Sequence, residues 1–192
     1  MATYFEFEVS IRGISPRVWR RFLLHGEATF EDLHLAIQNA SGWRNYRSYL
    51  FRTEPDGRVI ARRDIRIVAD NPKPLGKNVL VRSFFTINGG SPPVTACIYT
   101  HASGIPWVLD VVLTKHVRNV ERFGRRLLSG EHSFPREGYV GTRLYETRVR
   151  EIEAAKKSGD PLWQDSEGML YWLDGWYPKD FDLLSTRESF NR

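Results

Sequence analysis

From Tyr4 to Arg12 the chain alternates, with Phe5, Phe7, Val9 and Ile11 on one side and Tyr4, Glu6, Glu8, Ser10 and Arg12 on the other. A period of two marks a strand with one buried face. Gly13 and Pro16 bound a turn, and Val18 to Leu24 (VWRRFLL) reads as a second strand, antiparallel to the first. The period then lengthens. In TFEDLHLAIQNASGW (Thr29 to Trp43), Phe30, Leu33, Ile37 and Ala40 recur at helical spacing. Thr29 is the N-cap with Asp32 closing a capping box, and Gly42 is the stop. His34 and Gln38 lie one turn apart on a neighbouring face, placed for a polar contact to an adjacent sheet.

Short strand patterns follow. Tyr46 to Thr53 and Arg58 to Arg62 flank the turn Glu54-Pro55-Asp56-Gly57 and predict a hairpin. Asn71 to Lys77 reads as a loop, Val79 to Ile87 as a strand and Asn88 to Pro93 as a turn. Val94 to Thr100 is expected to pair with Trp107 to Lys115. Beyond residue 130 the pattern is helical: Tyr145, Val149, Ile152 and Ala155 form one stripe over Thr142 to Ser158, ended by Gly159 and Pro161, and Met169 to Leu173 reads as a short helix before a YPKDFD loop. The expected fold is α+β: one domain over residues 1–192, with an antiparallel-rich mixed sheet packed with helices and a helical C-terminal third.

Composition adds a polarity to this plan. Residues 1–130 carry 19 Lys+Arg against 11 Asp+Glu, a net of +8, and residues 131–192 carry 9 against 12, a net of −3. The first part is basic and strand-rich, the second acidic and helical. Of the 28 basic residues 22 are arginine, whose planar fork suits phosphate; a GC-rich coding sequence gives the same excess. No apolar run is long enough to span a membrane. MATYFEFEVS lacks the build of a secretory signal, and the single cysteine, Cys97, has no partner for a disulfide, so a cytoplasmic location is expected.

Catalytic signatures are missing. The five histidines (His25, His34, His101, His116, His132) are never paired at i, i+3 or i, i+4, which predicts no metal site, and no cofactor motif occurs. No GxSxG, SxxK, HExxH or phosphate-binding glycine loop is present. Acids such as Asp110, Glu131 and Glu137 are not brought together by sequence. The remaining signal is arginine interleaved with aromatics: Arg17, Arg20 and Arg21; Arg58, Arg62, Arg63 and Arg66; and Arg118, Arg122, Arg125 and Arg126 at near-helical spacing with Phe123.

Three blocks carry a resemblance. ISPRVWRRF (Ile14 to Phe22), TFEDLHLAIQNASGW and WLDGWYPKDFD (Trp172 to Asp182) resemble the strand, helix and late motif of the plasmid pRi ORF-three-like family, also labelled TnpR-type insertion-sequence passenger proteins. The resemblance implies an α+β fold and a mobile-element or defence context, and no resolvase nucleophile accompanies it. Three family motifs rich in His and Asp are altered here, as RSYLF (Arg47 to Phe51), YTHASGIPWVL (Tyr99 to Leu109) and FPREGYVG (Phe134 to Gly141). The resemblance therefore implies a divergent member that has lost any metal or acid-base site and works by binding.

The leading expectation is a non-catalytic basic protein contacting nucleic acid, or a nucleoprotein complex, through Arg20, Arg21, Arg62, Arg63, Arg122, Arg125 and Arg126. A protein-protein interaction module using tryptophans such as Trp163, Trp172 and Trp176 is the alternative. A hydrolase-like enzyme assembled from His34, His101, His132 and nearby acids is the third.

Overall fold

The computed structural model describes residues 1–45, 47–63, 74–86, 94–102, 106–137, 141–159 and 179–191. The strands are β1 (Ala2–Ile11), β2 (Trp19–His25), β3 (Ser48–Arg52), β4 (Val59–Arg62), β5 (Ala96–Ala102), β6 (Trp107–Asn119) and β7 (Arg125–Glu131). They form one sheet in the order β4-β3-β5-β6-β1-β2-β7. Among the described residues every strand pair is antiparallel, so the sheet is less mixed than expected, and parallel pairing is confined to the bridge between Arg62 and Leu75. The helices are α1 (Phe30–Ser41), α2 (Gly141–Ser158) and α3 (Leu183–Asn191).

The apolar positions of β1 go where the alternation predicts, but the opposite face is not left open as expected, for Tyr4, Glu6 and Ser10 are buried as well. Phe5, Phe7, Val9 and Ile11 are buried on the face that also carries Phe22, Leu24, Phe51, Leu109 and Val111, and α1 lays Phe30, Leu33 and Ile37 into the same core. Aromatic edges lock the layers, with Phe30 against Phe51 at 5.0 Å and Phe7 against Phe85 at 5.1 Å between ring centroids. Both hydrogen bonds of the α1 capping box form: Thr29 N donates to Asp32 Oδ2 at 2.8 Å, and Asp32 N to Thr29 Oγ1 at 3.2 Å. Gly42 closes the helix with a left-handed φ of 71°. On α2, the stripe residues Tyr145, Val149 and Ile152 are buried, and Tyr145 meets Trp107 edge-on at 6.1 Å.

Two expectations are corrected. Of the strand expected over Val79 to Ile87, the described residues 79–86 do not form one; Val81–Ser83 is a 3-10 turn, preceded by another at Gly76–Asn78. Val81, Phe84 and Phe85 stand at i, i+3 and i+4, a helical rather than an alternating spacing, which buries Val81 and Phe85 together. The arginines from 118 to 126 are not helical either: they run from the end of β6, through the connection that passes the ends of β1 and β2, into β7, and β7 escaped notice because RRLLSGE scarcely alternates. The proposed helix at Met169 to Leu173 and the three late tryptophans lie outside the described residues.

Both sheet edges are bonded in part. Along β7, Arg187 of α3 donates to Leu127 O at 3.0 Å and Leu128 O at 2.8 Å, and Leu127 N donates to Asn191 Oδ1 at 3.0 Å. Along β4, Arg62 N donates to Pro74 O at 3.1 Å. Neither edge therefore offers a bare ladder for strand addition along these residues. No helix among the described residues is long and apolar enough to cross a membrane.

Candidate functional site

The face of α1 that carries His34 and Gln38 lies over Tyr99 and His101 of β5, because both pairs are spaced to repeat on one face of their own element. All four side chains are buried within the otherwise apolar core. His34 Nδ1 lies 2.9 Å from Tyr99 Oη, Gln38 Nε2 donates to Tyr99 Oη at 2.9 Å, and Gln38 Nε2 stands 3.4 Å from His101 Nδ1. The chain of contacts continues both ways. His101 Nε2 reaches Glu137 Oε1 at 3.0 Å, and Arg44 N donates to Glu137 Oε2 at 2.6 Å. At the other end His34 Nε2 meets Asn45 Oδ1 at 2.6 Å, which also accepts from Arg63 Nη1 at 3.0 Å. Asn45 takes a positive φ of 55°, a conformation asparagine tolerates, so that its N donates to Gln38 Oε1 at 3.1 Å.

The partners fix every proton. Asn45 Oδ1 and Glu137 Oε1 only accept, so both histidines carry hydrogen on Nε2 and present Nδ1 as an acceptor. Tyr99 then donates to His34 and accepts from Gln38. Burial drives the His34 imidazole down to about 4 against its hydrogen bond to Asn45, and it lowers His101 against the pull of Glu137. Both rings are held neutral, and Tyr49 and Trp43 stack on them at 3.9 and 4.7 Å respectively. Burial likewise raises the Tyr99 phenol well above its ordinary value. The ring nitrogens of His34 and His101 are all engaged inside the set, and Glu137 is the member that reaches a surface cleft.

Histidines expected to work together thus divide. His34 and His101 join one chain, whereas His132 donates from Nδ1 to Arg17 O at 3.0 Å, away from it. Among the described residues no group of three or more His, Cys, Asp or Glu is arranged to hold a metal. The segments read as altered family motifs are the ones that converge: RSYLF supplies Tyr49, YTHASGIPWVL supplies Tyr99 and His101, and FPREGYVG supplies Glu137. No spacing in the sequence signals this meeting, since Tyr99 lies 65 residues from His34.

The chain of contacts runs between two surface recesses. Glu137 and Trp43 line a cleft of about 650 Å³ formed by the C-terminal end of α1, Ser133 to Glu137, and the approach to α3. Its wall mixes signs, with Arg20, Arg44 and Arg136 beside Glu137, Asp180 and Asp182. Arg63 and Tyr49, at the far end, line a smaller recess of about 200 Å³ with Glu31, Arg62, Leu75, Gly76 and Lys77.

The seven arginines do not form one surface. Arg20 is 3% exposed and ties β2 to α1, donating to Ala40 O at 3.1 Å, Trp19 O at 2.8 Å and Glu131 O at 3.0 Å. Its guanidinium is sandwiched by Phe181 and Phe134 at 3.6 and 4.9 Å, and burial lowers its pKa to about 9. It is a core residue, not a phosphate contact. Arg21 lies on the opposite face and pairs with Glu8 at 2.6 Å. There Arg17 also takes Glu8, Arg12 takes Glu54 and Asp110, and Lys115 takes Glu6, so this face neutralises itself. Arg62 and Arg63 stand at the β4 edge, six strand spacings or roughly 29 Å from β7. At β7, Arg125 donates to Phe190 O at 2.6 Å and Arg126 pairs with Glu121 at 2.6 Å, while Arg122 is exposed in the connection from β6.

Comparison with known proteins adds a lineage to this geometry. The family model described as plasmid pRiA4b ORF-3-like protein matches residues 3–185. The fold is similar to the crystal structure of a protein of unknown function from Methanosarcina mazei Go1, with a TM-score of 0.74 and 25% identity over 96% of this chain and 98% of that one. No curated protein matches the chain.

Proposed function

Since the chain belongs to the plasmid pRiA4b ORF-3-like family, we propose that it is a binding protein without catalysis of its own, and that its partner is nucleic acid. The observation that carries this reading is where cations lack carboxylates. On the open face of the sheet the basic groups are matched by their own acids. At the β4 edge and where the chain leaves β6 for β7 they are not: among the described residues Arg62, Arg63 and Lys77 share one acid, Glu31, and Arg118 near the end of β6 and Arg122 in the β6–β7 connection stand exposed. Phosphates need such uncompensated charge. The closed histidine chain argues against catalysis, because a general base needs a reachable proton.

The test is fluorescence anisotropy with labelled single-stranded and duplex oligonucleotides across a salt series. Binding at 50 mM salt that weakens steeply by 200 mM is the expected outcome. Arg118→Gln with Arg122→Gln lowers the affinity severalfold, whereas Arg17→Gln leaves it unchanged. Absence of binding to DNA and RNA at 50 mM salt overturns the reading. A protein partner is the second reading, favoured by the mixed signs in the wall of the 650 Å³ cleft; a complex insensitive to nuclease would then replace the salt-sensitive one.

A further inference from the structure

We infer that the recess at the β4 edge is a receptor for a single phosphoryl group. Its walls come from four places: Glu31 in the first turn of α1, Tyr49 of β3, Arg62 and Arg63 at the end of β4, and Gly76 and Lys77 in the 3-10 turn. Among the described residues of the wall, three cations face one carboxylate. Gly76 lets that turn close down on the tyrosine, for a Cβ there would overlap the Tyr49 hydroxyl.

The state of the cations points to a missing acceptor. Arg62 Nε is buried and has no hydrogen-bond partner. Folded proteins satisfy buried donors almost without exception, and leaving one on a charged group costs more than leaving a neutral one. Lys77 is exposed and makes no ion pair among the described residues. Arg63 is anchored through Nη1, which donates to Asn45 O at 2.8 Å as well as to Asn45 Oδ1, so its position is set from inside while the rest of the fork remains available. An anchored arginine, a second arginine and an exposed lysine, all lining one recess and none in an ion pair among the described residues, are the parts of a phosphate receptor.

Size and charge select the ligand. About 200 Å³ admits one phosphoryl group and excludes a buried nucleoside. A terminal phosphate near pH 7 carries close to two negative charges, which matches the surplus of the wall, whereas an internal phosphodiester carries one. The group is therefore a terminal phosphate, either at the end of a nucleic-acid strand or on a free small molecule. The strand-end source rests on the nucleic-acid reading above; the recess itself does not.

Three probes separate these cases: inorganic phosphate by calorimetry, and a 5′-phosphorylated and a 5′-hydroxyl oligonucleotide of the same sequence by anisotropy. Each is measured on the full chain, on Arg62→Gln, on Lys77→Gln and on Arg17→Gln as the outer-face control, with circular dichroism to show that the variants fold. A preference of tenfold or more for the 5′-phosphorylated strand, erased by Arg62→Gln and reduced by Lys77→Gln but kept by Arg17→Gln, establishes the strand end as the ligand. Saturable phosphate binding erased by Arg62→Gln, with no preference between the oligonucleotides, establishes the recess for a free phosphate even if the nucleic-acid reading fails. No saturable phosphate binding and equal affinity for both oligonucleotides overturns the inference, as does a preference that Arg62→Gln leaves intact in a folded variant.

Discussion

The two faces of the sheet each carry a run of polar side chains, and they obey different rules. On the inner face Glu137, His101, Gln38, Tyr99, His34, Asn45 and Arg63 form a directed chain in which the central groups are buried and neutral. On the outer face Arg17, Glu8 and Arg21, and Arg12 with Asp110 and Glu54, make short ion pairs in partial contact with water. The outer pairs look stronger on paper because both partners are charged. Solvent screening and side-chain freedom leave little of that attraction, whereas an inner group that loses its partner has no water to turn to. The difference teaches that in this protein polarity holds the fold together from inside the core and only decorates it outside.

Breaking the inner chain at its charged end has the largest expected effect. His101→Leu leaves the Glu137 carboxylate, 5% exposed, with only its bond from Arg44 N, and because a buried charged group short of a partner costs more than a neutral one, a loss of about 3 kcal/mol or more in urea unfolding is expected. A loss under about 1 kcal/mol would place Glu137 in contact with water and erase the contrast between the faces. Acid gives the next largest effect. The His34 pKa is lowered in the folded state, so the unfolded chain binds the extra proton first, and stability falls as pH drops from about 6.5 towards about 4. The displacement corresponds to an effect on the order of 3 kcal/mol, with His101 acting in the same direction. Unfolding midpoints measured from pH 7.5 to 4 check the slope, and His34→Gln flattens it.

The outer face gives the smallest change. Burial pushes the Glu8 carboxyl up, but hydrogen bonds from Arg21 and Arg17 overcome this and hold it below its ordinary value. Glu8→Gln is expected to cost less than about 1 kcal/mol, and less still at 0.5 M salt. A cost equal to that of His101→Leu would show that the outer ladder is shielded from solvent after all.

Much of this contrast was legible in the sequence, though not where chemistry was sought. Period-two alternation located β1, β2 and the buried face, and the Thr29 and Asp32 box located α1 to the residue. The same alternation sets Arg20 in register with Val18, Phe22 and Leu24, so its burial was readable from VWRRFLL, yet charge drew the reading towards the surface. Gly130 is the part no local pattern reveals: it lies opposite Arg20 across the β2–β7 pair, and a Cβ there would sit 2.5 Å from Arg20 Cδ. Tyr99, His101 and Glu137 were hidden for another reason. A sheet joins residues far apart in sequence, and their segments looked like degenerate copies of another pattern, so only the register of β5 against α1 brings them into one chain.

The covering of β7 by α3 also sets an order of events. Arg187 reaches Leu127 across 60 residues of chain, so a ribosome adding about 5–20 residues per second delivers the strand several seconds before the helix that shields it. During that interval the growing polypeptide displays an unprotected edge to other nascent chains and to chaperones. Protection arrives only when the helix does, which ties this protein's escape from aggregation during synthesis to the last element of its described structure.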